Sequence, residues 1–260
     1  MINYNFTYGD LEYFLLILTR ITCFIYVAPF FSTRGIPNQV KVGVGICMSV
    51  LLYSIVPRVD LNYLGVMDYA IIIAKEAFVG LMIGFAASIA SSITAFAGQI
   101  VDMQTGLSMV TMFDNNSNSN VTITGSLYQY VLMAMIILSG MYRYIVRAIA
   151  DSFTLIPVNG AVFHSDKLLN AMVTFMKDYI VIGFRICLPV FIVTFILNIV
   201  LGVLAKVSPQ LNMFAVGIQL KILVGLSVLF LTCSMLSGAS DFILTYMREL
   251  MQTFAQGMAA

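Results

Sequence analysis

Apolar residues in this chain gather into long uninterrupted runs. Six stand out, at roughly 11–31, 40–56, 69–101, 121–142, 179–205 and 213–240. A seventh, 144–156, is shorter and carries Arg147 and Asp151, which suits an interfacial or packed helix better than a span. Within the third run, the 25 residues from Ala77 to Val101 hold no charge. A bilayer core takes about 20 helical residues at about 1.5 Å each, so this run is long enough to cross one. Only helices or closed barrels satisfy every backbone group in lipid, and the runs lack the period-2 alternation of barrel strands. The prediction is an all-α, polytopic membrane protein. Turn chemistry separates the runs: Ser32 to Asn38 with Gly35 and Pro37, Pro57, Pro157-Val158-Asn159-Gly160, and Ser208-Pro209-Gln210-Leu211-Asn212. Long connections are expected only at 102–120 and 157–178.

The polar segment after the third run is unlike an ordinary connection. It reads DMQTGLSMVTMFDNNSNSN and places Leu107, Met109, Val110, Met112 and Phe113 ahead of the asparagines. Methionine is flexible and soft, and hydrophobic constrictions gate pores. Gly106 and the asparagines supply mobility. A mobile apolar segment hung from a membrane helix is what a pore closure needs; an ordinary surface loop is the plainer alternative.

Composition agrees with the membrane reading. Hydrophobic residues make up 60% of the chain and charged ones 10%, with mean hydropathy +0.97. A soluble domain has about 25% charged residues. The net charge of +1 gives no electrostatic case for nucleic acid. The first twelve residues contain Asp10 and Glu12 and no Lys or Arg, the opposite of a basic leader. Trp is absent, which leaves the interfacial role to the 13 tyrosines. Cys23, Cys47, Cys187 and Cys233 lie far apart inside apolar segments and read as buried thiols rather than metal ligands. Loop charges do not alternate cleanly. Six spans with both termini in the cytoplasm place Arg58, Arg143, Arg147, Lys167, Lys177 and Arg248 inside, with Arg34, Lys41 and Lys206 opposite. The first loop argues locally against this, which puts simple spanning itself in question.

Two further patterns concern packing. Gly80, Gly84, Ala87, Ser91, Ala95 and Gly98 recur at spacings of three and four, on one helical face. In lipid, close backbone approach through small residues drives helix association, either within the chain or against another subunit. Arg20, Lys75, Glu76, Arg185, Lys206 and Lys221 are charges in apolar surroundings. A central charge costs about 2.5–3.5 kcal/mol on insertion scales, so such groups find partners or face water. Lys206 and Lys221 stand at segment ends, where they snorkel. Lys75 and Glu76 point about 100° apart, so each needs its own surroundings, and Glu76 is expected in a buried polar contact. A proton relay normally needs a second intramembrane acid.

Signs of catalysis are missing. The single His164 sits beside Ser165 and Asp166 and reads as solvated. There is no nucleophile elbow, zinc-binding helix or phosphate-binding glycine loop, so no catalytic, cofactor or metal residue is assigned.

Two stretches carry a resemblance. The first runs Glu76-Ala-Phe-Val-Gly80-Leu-Met-Ile-Gly84-Phe85, then Ala97-Gly98-Gln99-Ile-Val-Asp102-Met-Gln104-Thr-Gly106-Leu-Ser108. The second is Leu201-Gly202-Val-Leu-Ala-Lys206-Val-Ser-Pro209-Gln210-Leu-Asn212-Met-Phe214, followed by Gly217 and Lys221. In this order and over nearly the whole length they resemble the FliR/SctT family of type III export-gate proteins. The sequence departs from the family pattern at Asp114-Asn115 (commonly Asp-Pro), at Gly140-Met141 (often Gly-His) and at Lys206 (often Arg). The resemblance implies a non-enzymatic subunit of a flagellar export gate in the bacterial inner membrane, at the flagellar basal body. It implies FliP-like, FliQ-like and FlhB-like partners, unfolded protein as cargo, and membrane lipid around it. It also implies a FliP-like helical part over 1–178, with a plug loop at about 102–120, and a FliQ-like hairpin and tail over 179–260. In such gates the helices form a raised, staggered structure, which accounts for the poor charge alternation. The family's plug falls at Gly106, Leu107, Ser108, Met109, Val110, Met112 and Phe113. Polar and packing contacts fall at Glu76, Gly80, Gly84, Gly98, Gln99, Asp102, Arg185, Lys206, Pro209, Gln210, Asn212 and Lys221.

Two rival readings stand beside it. An injectisome gate subunit differs in nothing physical that this chain displays. A secondary transporter for a small solute predicts paired polar groups on broken helices in two matching halves; Glu76 and Gln99 supply one set and no second is visible.

Overall fold

The computed structural model describes residues 8–32, 35–57, 59, 63, 65–109, 122–208 and 213–259, with 213–215 as backbone only. Among the described residues there are seven α-helices and no strand. They are α1 (Tyr8–Val27), α2 (Asn38–Tyr53), α3 (Val66–Thr105), α4 (Ile123–Leu138), α5 (Met141–Leu155), α6 (Ser165–Val207) and α7 (Met213–Met258).

The apolar runs become helices as expected, but not six plain spans. Three helices, α3, α6 and α7, are long and apolar enough to cross a membrane. The pair α4 and α5, interrupted at Gly140, adds a fourth if it counts as one span. Gly140 has φ +70°, which a continuing α-helix does not accept. The remaining two fail for separate reasons. The 16 residues of α2 reach only about 24 Å, short of a core about 30 Å thick. In α1, Asp10, Glu12 and Arg20 make the helix too polar.

Two helices overrun their apolar runs because their ends are amphipathic. α6 starts at Ser165, inside the expected 157–178 connection, and buries Ala171 and Phe175 on one face among charged neighbours. α7 continues to Met258, burying Met247, Leu250, Met251, Phe254 and Met258.

The described chain packs as two compact units. The first comprises Met1–Ala90, Gly140–Phe175 and Tyr246–Ala260. Its core includes Leu16, Ile17, Ile21 and Phe24 of α1 and Ile145, Ile149 and Phe153 of α5. The Tyr63 hydroxyl donates to Glu12 of α1 at 2.6 Å. That hydrogen bond to a carboxylate pushes the phenol above its ordinary titration range. The second unit comprises Ser91–Ser139 and Met176–Thr245, and its core holds Ala97, Val101, Tyr128, Cys187 and Val190. These units describe packing alone.

The four cysteines are free, and only Cys187 is buried; Cys47 and Cys233 are exposed on apolar helices and Cys23 is half-buried. Membrane helices turn apolar side chains outward, so an apolar neighbourhood in sequence does not make a thiol buried.

Candidate functional site

The glycine-lined face of α3 sets the geometry of the first unit. A side chain at Gly80 would collide with the Arg20 carbonyl of α1. One at Gly84 would lie 2.9 Å from the Phe24 carbonyl oxygen. The two helices therefore touch backbone to backbone, with residues four apart on α3 matched to residues four apart on α1. One turn before Gly80, Glu76 meets Arg20. The Arg20 Nε donates to Glu76 Oε2 at 2.5 Å, and both side chains are fully buried.

This pair is enclosed by the end of α5 and the turn after it. Arg20 Nη1 donates to the carbonyls of Ile156 at 2.9 Å and Ser152 at 3.3 Å. Those carbonyls belong to the negative end of α5, which favours a cation. The Arg20 guanidinium also lies 4.2 Å from the centre of the Phe153 ring. The second oxygen of Glu76 accepts from the Asn159 backbone N–H at 3.0 Å. Asn159 has φ +65°, and asparagine is among the residues that adopt this left-handed conformation most readily. The arrangement binds α1, α3 and α5 through one charge-balanced cluster. Both carboxylate oxygens of Glu76 are engaged, which suits a clamp better than a proton carrier.

Glu76 is fully buried against Arg20, and Lys75 beside it is half-buried. In the sequence Arg20 is only a charge with apolar flanks, and Ser152, Phe153, Ile156 and Asn159 carry no signal beyond the Pro-Val-Asn-Gly turn.

The second unit repeats the device further along α3. A side chain at Gly98 would collide with the backbone of Gly125 in α4. One turn later, the buried Asp102 carboxylate accepts the Thr124 backbone N–H at 3.0 Å and the Thr124 hydroxyl. Thr122 caps the same helix by accepting from the Gly125 N–H at 3.3 Å. A carboxylate at a helix N-terminus satisfies orphan donors and opposes the helix dipole. Gly80, Gly84 and Gly98 therefore serve packing within the chain, one of the two roles their spacing allows.

Other expected positions are less engaged. Gln99 is exposed. Arg185 is exposed and lines a cavity of about 590 Å³ with Tyr128, Pro189, Thr232 and Ser237. Lys206 is exposed in the last turn of α6, and Lys221 is half-buried. Gly106 ends α3 with φ +84° and has open space around its α-carbon, so conformation rather than crowding calls for glycine there. Leu107 is buried, Ser108 half-buried and Met109 exposed. Val110, Met112, Phe113, Pro209, Gln210 and Asn212 lie outside the described residues. His164 is half-buried rather than solvated: its backbone N–H donates to the Gly257 carbonyl at 3.2 Å, and its Nδ1 is buried. Among the described residues no group of three or more His, Cys, Asp or Glu is placed to hold a metal ion.

Long apolar helices, internal glycine contacts and polar clusters sealed between helices define a polytopic helical membrane protein. A family model described as bacterial export proteins, family 1, matches residues 11–247, and the chain belongs to that family. Curated relatives agree. The flagellar biosynthetic protein FliR of Bacillus subtilis (strain 168) is 28% identical over 229 residues, 86% of each chain. FliR of Escherichia coli (strain K12) is 26% identical over 214 residues, covering 82% of this chain and 80% of its own. FliR of Buchnera aphidicola subsp. Acyrthosiphon pisum (strain APS) is 25% identical over 213 residues, 82% of each. The expected resemblance to FliR holds over most of the chain.

Proposed function

We propose that this chain is a non-enzymatic subunit of a flagellar protein-export gate in the bacterial inner membrane, packed among FliP-like and FliQ-like helices beside an FlhB-like subunit. The observation that carries the reading is the match to an export-protein family and to FliR relatives over more than four-fifths of the chain. The exposed faces of the last two long helices support it. Only 22% of the most apolar window of α6 and 6% of that of α7 are buried within the chain. Helices so bare are suited to neighbours, which fits a FliQ-like hairpin over 179–260 added to a FliP-like part over 1–178.

The segment Gly106–Phe113 serves as the plug. Gly106 stops α3, and the chain leaves it with Leu107, Met109, Val110, Met112 and Phe113. Such bulky apolar side chains exclude water and ions yet yield to an unfolded chain passing through. Removing residues 106–113 from the assembled complex is expected to raise ion conductance in a planar bilayer while the subunits still co-purify. Unchanged conductance with intact assembly would remove the plug from the proposal.

A further inference from the structure

A second feature of the first unit stands apart from export. Between α2 and α5 lies a cavity of about 420 Å³, within the range of small-molecule sites. Its floor is aliphatic, with Met48 and Leu51 from α2, Ile55 from the turn after it and Val146 from α5. Arg143 and Arg147, one turn apart on α5, line the same cavity and are exposed. The only charged partner of either among the described residues is Asp151, 3.5 Å from Arg147 in a pair whose side chains are 79% and 60% exposed. Arg143 donates to the Tyr142 hydroxyl at 3.0 Å, which is neutral. Two guanidiniums against one carboxylate leave the rim with a surplus positive charge.

The surroundings say which occupant fits. α5 is amphipathic, burying Met141, Ile145, Ile149 and Phe153 while Arg143, Arg147 and Asp151 face outward. That is the pattern of a helix with one face against the protein core and a charged face outside it. α2 and the turn after it leave Val50, Leu51 and Ile55 exposed, which calls for an apolar partner. A groove with an oily floor and a cationic rim matches one anionic amphiphile. Its chain fills the floor and its phosphate meets the arginines, as in basic pockets between membrane helices. A zwitterionic lipid satisfies the floor equally but brings no net charge to the rim.

We infer that the α2–α5 groove is a binding site for an anionic phospholipid, held by Arg143 and Arg147. The test uses the full chain within its detergent-purified complex, exchanged into phosphatidylglycerol or phosphatidylcholine of matched acyl chains. Native mass spectrometry counts retained lipid. Phosphatidylglycerol is expected to be retained over phosphatidylcholine. In R143Q/R147Q its affinity should fall roughly 10- to 30-fold, from about 1 kcal/mol per basic residue near an anionic surface. R143K/R147K should keep most of it. Because the chain has no Trp, Leu51→Trp adds an indole on the groove floor. Brominated phosphatidylglycerol should quench that indole's added emission, and less so with R143Q/R147Q present. Equal retention of the two lipids, or unchanged phosphatidylglycerol affinity in R143Q/R147Q, overturns the inference. So does crosslinking of the groove to a partner protein with no lipid retained.

Discussion

Removing one half of the Arg20–Glu76 pair should cost far more than removing both. In Glu76→Met, the guanidinium of Arg20 stays fully buried with only the Ile156 and Ser152 carbonyls and the Phe153 ring around it. In Arg20→Met, the Glu76 carboxylate stays buried with only the Asn159 N–H. Orphaning a buried charge in this way costs about 3–5 kcal/mol, roughly two to four orders of magnitude in the folding equilibrium. The double change R20M/E76M removes both charges and fills much of the space. It leaves the Asn159 N–H and the Ile156 carbonyl without these partners, at about 1–3 kcal/mol each. The Ser152 carbonyl keeps the Ile156 N–H at 2.8 Å. The double variant should therefore lose about 2–6 kcal/mol where the two single losses sum to about 6–10. Taken between the middles of these ranges, the coupling between the positions is about 4 kcal/mol. Equilibrium unfolding of the purified chain in mixed micelles, with denaturing detergent as titrant and helical circular dichroism as signal, gives all four corners of the cycle. Additivity within about 0.5 kcal/mol would refute the reasoning, because independent sites behave that way. Single losses below about 1 kcal/mol would refute it too, placing the pair with exposed ion pairs.

Two other perturbations follow from the same geometry. Asp102→Ala strips the N-terminus of α4 of a buried carboxylate acceptor and should destabilise the chain by about 1–2 kcal/mol, read in the same unfolding titration. Gly80→Leu meets backbone rather than a movable side chain at Arg20. It should part α1 from α3, lowering the yield of folded chain in detergent far more than Gly43→Leu, whose α-carbon faces open space.

What the sequence revealed, and what it hid, divides along a physical line. Long apolar runs marked where membrane-competent helices lie, because in lipid the backbone has few other choices. The same criterion missed 165–178 and 241–258, where helix continues under an amphipathic pattern: Asp166, Lys167, Lys177 and Asp178 made the first resemble a loop. The small-residue face of α3 was legible from spacing alone, but its partners were not. Arg20 and Glu76 stand 56 positions apart, and Glu76 and Asn159 stand 83 apart. Local pattern carries no information about pairing at such distances. Thr122 could be suspected as a cap from its place before an apolar run, whereas Asp102 reaches α4 from another helix.

The two polar clusters share one construction, and that bears on how a chain this apolar acquires a single structure. Aliphatic side chains against lipid discriminate poorly between helix registers, because hydrocarbon on either side is nearly equivalent. A glycine at the crossing lets backbones touch at one place, and an acidic side chain one turn away then finds a donor only in that register. Glu76 with Gly80 does this against α1, and Asp102 with Gly98 does it against α4. Sliding α3 by one turn on α1 would bring bulkier residues to the contact and strand both Arg20 and Glu76 without a counter-charge. The penalty for an orphaned charge is what turns a permissive oily surface into a selective one. On this view Glu76 and Asp102 fix the position of α3, the helix from which the segment beginning at Gly106 emerges.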